Sequence, residues 1–187
     1  NVYGAQVLID CAHKRGVGRF VHCSTDEVYG DVIGDHVDET CSLNPTNPYS
    51  CSKAAAEYAG WAYHRSFKFP FIVTRGNNVY GPHQFPEKVI PKFALRLLNG
   101  DTCCLHGDGM SQRSYLFVTD TARAVECVLH NGVDGEIYNI GSQEEMTIKS
   151  LAEKMVGIIC KFTGDSPEGK IEYAVSYTHL TLPTMLW

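Results

Sequence analysis

The 187 residues are 44% hydrophobic and 20% charged, and 16 basic against 21 acidic side chains leave a net charge of −5. This composition excludes disordered, collagenous and coiled-coil chains and allows one domain, or one and part of another. A mildly acidic chain without a basic run offers nucleic acid or a membrane surface no electrostatic attraction, and no apolar stretch approaches the ~20 residues of a membrane span.

In chain order, Val2, Ala5, Leu8, Ile9 and Ala12 recur at helical spacing, and Gly16 and Gly18 end that segment. The apolar run from Phe20 to Cys23 predicts a buried strand. A polar loop from Gly30 to Pro48 leads into an Ala-rich helix over 49–66, marked by Ala54, Ala55, Tyr58 and Ala62. Pro70 closes that region, and Phe71 to Thr74 read as a second buried strand. An amphipathic helix is predicted over 87–98 through Val89, Ile90, Phe93 and Leu97. Strands at 103–106, 115–118 and 136–140 alternate with helices at 119–130 and 147–160. The alternation argues an α/β fold with a mostly parallel sheet. Residues after about 82 are richer in loops, so 1–82 and 83–172 are expected to form a main part and a smaller one.

Eight cysteines form no C-x-x-C pair and no zinc-finger spacing. Several sit in apolar runs, Cys23 in FVHCS and Cys127 in AVECVL, and read as small reduced core residues of a cytoplasmic protein. The eight histidines are scattered and read as structural or surface groups, so no metal site is expected. Asn44-Pro45-Thr46 is barred from glycosylation by its proline. The chain starts at Asn1 without a leader pattern, and residues 173–187 contain no Asp, Glu, Lys or Arg. Both ends are expected to be cut, with 173–187 a non-native tail.

The strongest chemical signal is Ser24-Thr25-Asp26-Glu27-Val28-Tyr29-Gly30 directly after a predicted strand, followed by Tyr49-Ser50-Cys51-Ser52-Lys53 opening a helix. Ligands of open α/β sheets gather at the carboxyl ends of strands. Tyr49 and Lys53 are i and i+4 on one helix face, where an ammonium favours the phenolate and makes a base of it. Taken singly, Tyr-x-x-x-Lys is also a common surface pair, and Asp26-Glu27 a solvated turn. In combination they point to a site.

With these motifs the chain resembles the extended short-chain dehydrogenase/reductase superfamily, and within it the dTDP-glucose 4,6-dehydratases of animal type. The resemblance runs from Asn1 to about Tyr173 and rests on STDEVYG (24–30), NPYSCSKAAAE (47–57), NNVYGPHQFPEKVIPKF (77–93), GDGMSQRSYLFVTD (107–120) and IYNIG (137–141). It implies an NAD(P)-binding Rossmann-like, doubly wound parallel sheet with a smaller C-terminal substrate-binding part. It also implies bound NAD, a nucleotide-sugar substrate such as dTDP-glucose, and a homodimer formed through helices that include the Tyr/Lys helix. By the same resemblance Tyr49, assisted by Lys53, removes the sugar 4-hydroxyl proton, Glu27 takes the C5 proton, and Asp26 protonates the departing 6-hydroxyl. Thr25 holds the hexose, and Ser24, Tyr49 and Lys53 face the cofactor. Asn78, Lys88, Val89, Arg113 and Asn139 match substrate or nucleotide contacts. Read without the family, Arg113 has a solvated surface charge as its lesser alternative, and Asn139 is equally a turn residue.

Three departures stand against the pattern. The glycine-rich G-x-x-G-x-x-G loop does not occur in these residues, and Val79 replaces an asparagine that contacts the cofactor in bacterial members. After Tyr173 the family's Asp-Arg-Pro stretch is replaced by AVSYTHLTLPTMLW. Besides a dehydratase truncated at both ends, three readings remain: a nucleotide-sugar epimerase or decarboxylase, an inactive sugar-nucleotide-binding module, and an incomplete product without stable function.

Overall fold

The structure is a computed structural model that describes residues 1–30, 37–142 and 144–174. The chain divides into two compact units. One comprises Asn1–Val79 and Leu116–Ser142; the other comprises Tyr80–Tyr115 and the described residues after Ser142.

In the first unit, α1 (Val2–Lys14), β1 (Phe20–Thr25), a 3₁₀ turn (Asp26–Tyr29), α2 (Pro48–Phe67) and β2 (Phe71–Gly76) follow one another, and α4 (Val118–Asn131) and β6 (Ile137–Ile140) join them later in the chain. The strands make a parallel sheet in the order β1-β2-β6. β2 lies between two partners, and Phe71 to Arg75 are all buried. That burial accounts for its unbroken run of apolar and β-branched residues. Ile9 of α1 packs on Phe69, Phe71 and Val73, with Trp61 and Tyr63 of α2 against them. Gly60 permits the close approach of α2 to the sheet, since a Cβ there would lie 1.9 Å from the Phe71 ring.

The start of α2 is written locally. Asn47 accepts from Ser50 N–H through its side chain, Ser50 Oγ returns the bond to the Asn47 backbone, and Pro48 occupies the first turn. This capping box fixes where Tyr49 and Lys53 emerge.

The second unit contains α3 (Val89–Leu98), β4 (Cys103–His106), β7 (Glu145–Thr147), α5 (Ile148–Thr163) and β8 (Ile171–Ala174). β4 and β8 pair in parallel. Phe93 and Leu97 of α3 meet Leu105 of β4 and Ala152, Val156 and Cys160 of α5 in one apolar cluster. The division falls inside β3 (Asn78–Tyr80) and β5 (Gln112–Phe117).

Differences from the sequence reading have physical causes. β5 begins at Gln112 instead of 115, because Gln112-Arg113-Ser114 pair antiparallel with β7 and carry no apolar signal. The helix expected from 87 begins at Val89, with Lys88 still extended. The reading of the cysteines as core residues is corrected: Cys11, Cys23, Cys41, Cys51 and Cys127 are exposed, and only Cys103 and Cys160 are buried. Cys23 is the exposed residue of β1, and Cys127 lies on the outer face of α4, whose buried residue is Val128. All eight are free thiols, and burial pushes the Cys103 thiol up to about 11. Tyr173 and Ala174 belong to β8, paired with Leu105 and His106; the rest of the expected tail, like residues 31–36 of the polar loop, lies outside the described residues. Among the described residues no helix is long and apolar enough to cross a membrane, and no His, Cys, Asp or Glu cluster is arranged for a metal ion.

Candidate active site

The site begins where β1 ends. Thr25 is extended (φ −145°), and its Oγ1 accepts from Glu27 N–H at 3.3 Å, capping the 3₁₀ turn. The turn is anchored from below by buried Val28 and Tyr29, packed on Ala54 of α2. Asp26 and Glu27 therefore occupy the first turn of a pinned segment. Ser24 Oγ, one residue earlier, is buried with no hydrogen-bond partner among the described residues.

The two carboxyls have different supports. Asp26 Oδ2 accepts from Asn77 Nδ2 at 2.6 Å, and Asp26 Oδ1 lies 3.2 Å from the Thr25 hydroxyl. Glu27 Oε2 accepts from Asn47 Nδ2 at 3.3 Å. Neighbouring acids held by separate partners can take opposite roles in proton transfer. Lys53 donates from Nζ to Cys23 O at 2.6 Å, tying the first turns of α2 to β1. Tyr49, one turn earlier on that face, is half exposed.

A buried polar network lies behind the turn. Arg75 of β2 donates to Glu57 of α2 and, through Nη1, to Tyr29 Oη at 2.7 Å; Tyr29 in turn donates to Asn139 Oδ1 at 2.8 Å. The guanidinium also lies 4.7 Å from the centre of the Tyr29 ring. Burial opposes the Arg75 charge, but hydrogen bonds to Glu57 and Tyr29 outweigh it and hold the proton more firmly than usual. For Tyr29, burial dominates over those bonds and raises the phenol.

The first unit thus brings Ser24, Thr25, Asp26, Glu27, Tyr49 and Lys53 to the β1 end and the start of α2. Asn78 opens β3 and is exposed. Asn139 is engaged within the same unit, with its N–H on Glu39 Oε1 and its Nδ2 on Val37 O. Lys88, Val89 and Arg113 belong to the second unit. Lys88 sits beside Glu87, Val89 packs against the apolar cluster, and exposed Arg113 donates to the neighbouring Gln112 carbonyl. Sequence reasoning missed Asn47 and Asn77, which hold the two acids, and the Tyr29–Arg75–Glu57 network. A cap residue before Pro48 and single charges inside the apolar stretches AAAEYA and FIVTRG were the available signals.

Residues 1–141 match the NAD dependent epimerase/dehydratase family. The chain is 46% identical to the human dTDP-D-glucose 4,6-dehydratase over 174 residues, covering 92% of this chain and 50% of the relative. It is 48% identical to a trifunctional UDP-glucose 4,6-dehydratase of Arabidopsis thaliana, covering 92% of this chain and 26% of that protein. Among solved structures, the dTDP-glucose 4,6-dehydratase of Bacillus anthracis in complex with NAD superposes with a TM-score of 0.86 at 39% identity, over 94% of this chain and 55% of that one. The UDP-glucuronic acid 4-epimerase of Bacillus cereus gives 0.83 at 26% identity, over 94% and 54%. The chain spans about half the length of the animal relatives it matches. The parallel β1-β2-β6 sheet is accordingly the Rossmann-like sheet of these NAD-binding enzymes. The chain belongs to the NAD dependent epimerase/dehydratase family.

Proposed function

We propose that this chain carries the catalytic part of an NAD-dependent nucleotide-sugar 4,6-dehydratase, which converts dTDP-glucose to the 4-keto-6-deoxy sugar. The observation that carries the reading is the Asp26–Glu27 pair at the β1 end, each acid held by its own amide donor. An epimerase moves a proton and a hydride at C4 and has no use for a second acid; loss of water needs a base for C5 and an acid for the departing oxygen.

The residues present fit the nicotinamide end of NAD. Ser24 Oγ is a buried hydroxyl without a partner among the described residues, and Tyr49 and Lys53 form the helix face that would hold the ribose. Bound there, NAD would supply the hydride acceptor for C4 and the hydride donor for C6. Tyr49, assisted by Lys53, takes the 4-hydroxyl proton, and Thr25 holds the hexose. Glu27 removes the C5 proton made acidic by the 4-ketone. Asp26 gives its proton to the 6-oxygen, which leaves as water, and a proton then returns to C5. One water is lost overall.

Asn78 and Asn139 in the first unit, and Lys88, Val89 and Arg113 in the second, are assigned to the nucleotide and diphosphate. Arg113 is suited to the latter by its planar set of donors. On this reading 1–82 is mainly cofactor-binding and catalytic and 83–172 mainly substrate-binding, with β6 of the latter returning to the main sheet. The protein pairs with a second copy through the α1/α2 face, where Tyr3, Leu8 and Tyr58 are exposed, and works in the reducing cytoplasm, a location supported by its eight free thiols.

The test is to incubate the full-length protein with NAD and either dTDP-glucose or UDP-glucose and to weigh the products. Loss of one water from dTDP-glucose supports the assignment, and the rate ratio of the two substrates reads the preferred base. A product of unchanged mass supports an epimerase, and no product from folded protein sinks the enzyme reading.

A further inference from the structure

Asn77 follows β2 and touches both Asp26 and the segment after β6. The orientation of its amide is decided by its neighbours. The Ser142 backbone N–H can only donate, and it lies 3.0 Å from Asn77 Oδ1. The other amide atom, Nδ2, therefore faces Asp26 Oδ2 at 2.6 Å. Exchanging the two would set an N–H against an N–H and a carbonyl oxygen against a carboxyl oxygen. The backbone holds the pocket closed: Asn77 N–H donates to Ile140 O at 3.1 Å, and a Cβ on Gly141 would lie 2.1 Å from Asn77 Oδ1. Only glycine permits that approach.

We infer that Asn77 is a positioning residue that decides which oxygen of Asp26 carries the transferable proton; this rests on the dehydratase reading above. Oδ2 already receives the Asn77 N–H, so the proton of the neutral acid belongs on Oδ1. The neighbour of Oδ1 is the Thr25 hydroxyl at 3.2 Å, which can accept as well as donate. In the elimination the Asp26 Oδ1–H bond breaks and its proton joins the C6 oxygen. The C6–O pair leaves with that oxygen as water. Glu27 takes the C5 proton, and the C5–H electron pair becomes the C5–C6 double bond. The carboxylate left on Asp26 meets two donors already in place, Asn77 Nδ2 on Oδ2 and the Thr25 hydroxyl on Oδ1, so its charge is received without rearrangement.

The test compares two substrates of the full-length protein: dTDP-glucose, and its analogue with fluorine in place of the 6-hydroxyl. Fluoride leaves without first being protonated, so it dispenses with a correctly aimed acid. Asn77→Leu is expected to slow water loss about 10²-fold while leaving fluoride loss within about threefold of wild type. Asn77→Asp keeps the acceptor for Ser142 N–H but turns an oxygen towards Asp26, and is expected to give the same split should the leucine variant fail to fold. Equal slowing of both substrates marks a merely structural residue, and no slowing of water loss marks none at all; either result overturns the inference. A wild-type protein that processes neither substrate overturns the dehydratase reading and this inference with it, whereas the variant results bear on Asn77 alone.

Discussion

Arg75 and Glu57 form an ion pair inside the first unit, with Nη2 2.7 Å from Oε2 and side chains 3% and 0% exposed. Removing one member leaves the other charge buried without its partner, which typically costs about 3–5 kcal/mol. Replacing both by apolar groups removes the desolvation penalty as well. We expect Arg75→Leu and Glu57→Leu each to destabilise the full-length protein by that order, and the double variant by less than the sum of the two. Urea unfolding of all four proteins measures the cycle, and strict additivity contradicts the account.

Two helix glycines make a paired prediction. Gly60 faces Phe71 with no room for a Cβ, whereas a Cβ at Gly157 in α5 would meet nothing within 4 Å. Gly60→Ala overpacks the seam of α2 and β2 and should cost about 1–3 kcal/mol. Gly157→Ala gains helix propensity and should stabilise by about 0.5–1 kcal/mol. Thermal unfolding reads both, and shifts of equal sign would mean that the two sites are not packed as described.

Asn47 performs two tasks that a substitution can separate. Its Oδ1 caps α2, and its Nδ2 holds Glu27. Asn47→Ala should lose about 1 kcal/mol of stability together with activity. Asn47→Asp keeps the cap but sets a second acid beside Glu27, so stability should stay near wild type while kcat falls. A fall in stability without a fall in kcat would show that the contact with Glu27 is incidental.

His22 supplies a pH dependence. It lies on β1, its ring 5.9 Å from that of Phe71, and its Nε2 is buried without a partner among the described residues. Burial disfavours the imidazolium first and Lys53 adds to this, with Glu57 opposing, so the folded protein holds the His22 proton less firmly than the usual 6.5. The unfolded chain then binds more protons below about pH 6.5, and stability contributed by neutral His22 is lost as the pH falls from there through the lowered folded-state value. His22→Phe keeps a ring of similar shape and should flatten the stability curve below about pH 6.5 relative to wild type. Denaturant midpoints across that range give the answer, and parallel curves would exclude His22 as the source.

Much of this was legible in the sequence because local signals and tertiary demands coincide. The apolar run that predicts β2 is apolar because both faces of that strand are buried. The Ser24–Gly30 and Tyr49–Lys53 motifs mark the candidate site because each occupies an element end. What stayed hidden is what one-dimensional patterns do not encode. Asn77 and Asp26 are 51 residues apart and meet only through the sheet. β5 and β7 pair through residues with no apolar alternation, and Cys23 and Cys127 look like core residues but stand on surfaces left uncovered.

The division of labour between Asp26 and Glu27 is the central claim, and product mass from Asp26→Asn in the full-length protein with NAD and dTDP-glucose tests it most directly. The account predicts a folded variant that still oxidises C4, with one reduced cofactor per 4-keto hexose, and loses water at least about 10²-fold more slowly than wild type. Loss of water at the wild-type rate would contradict it.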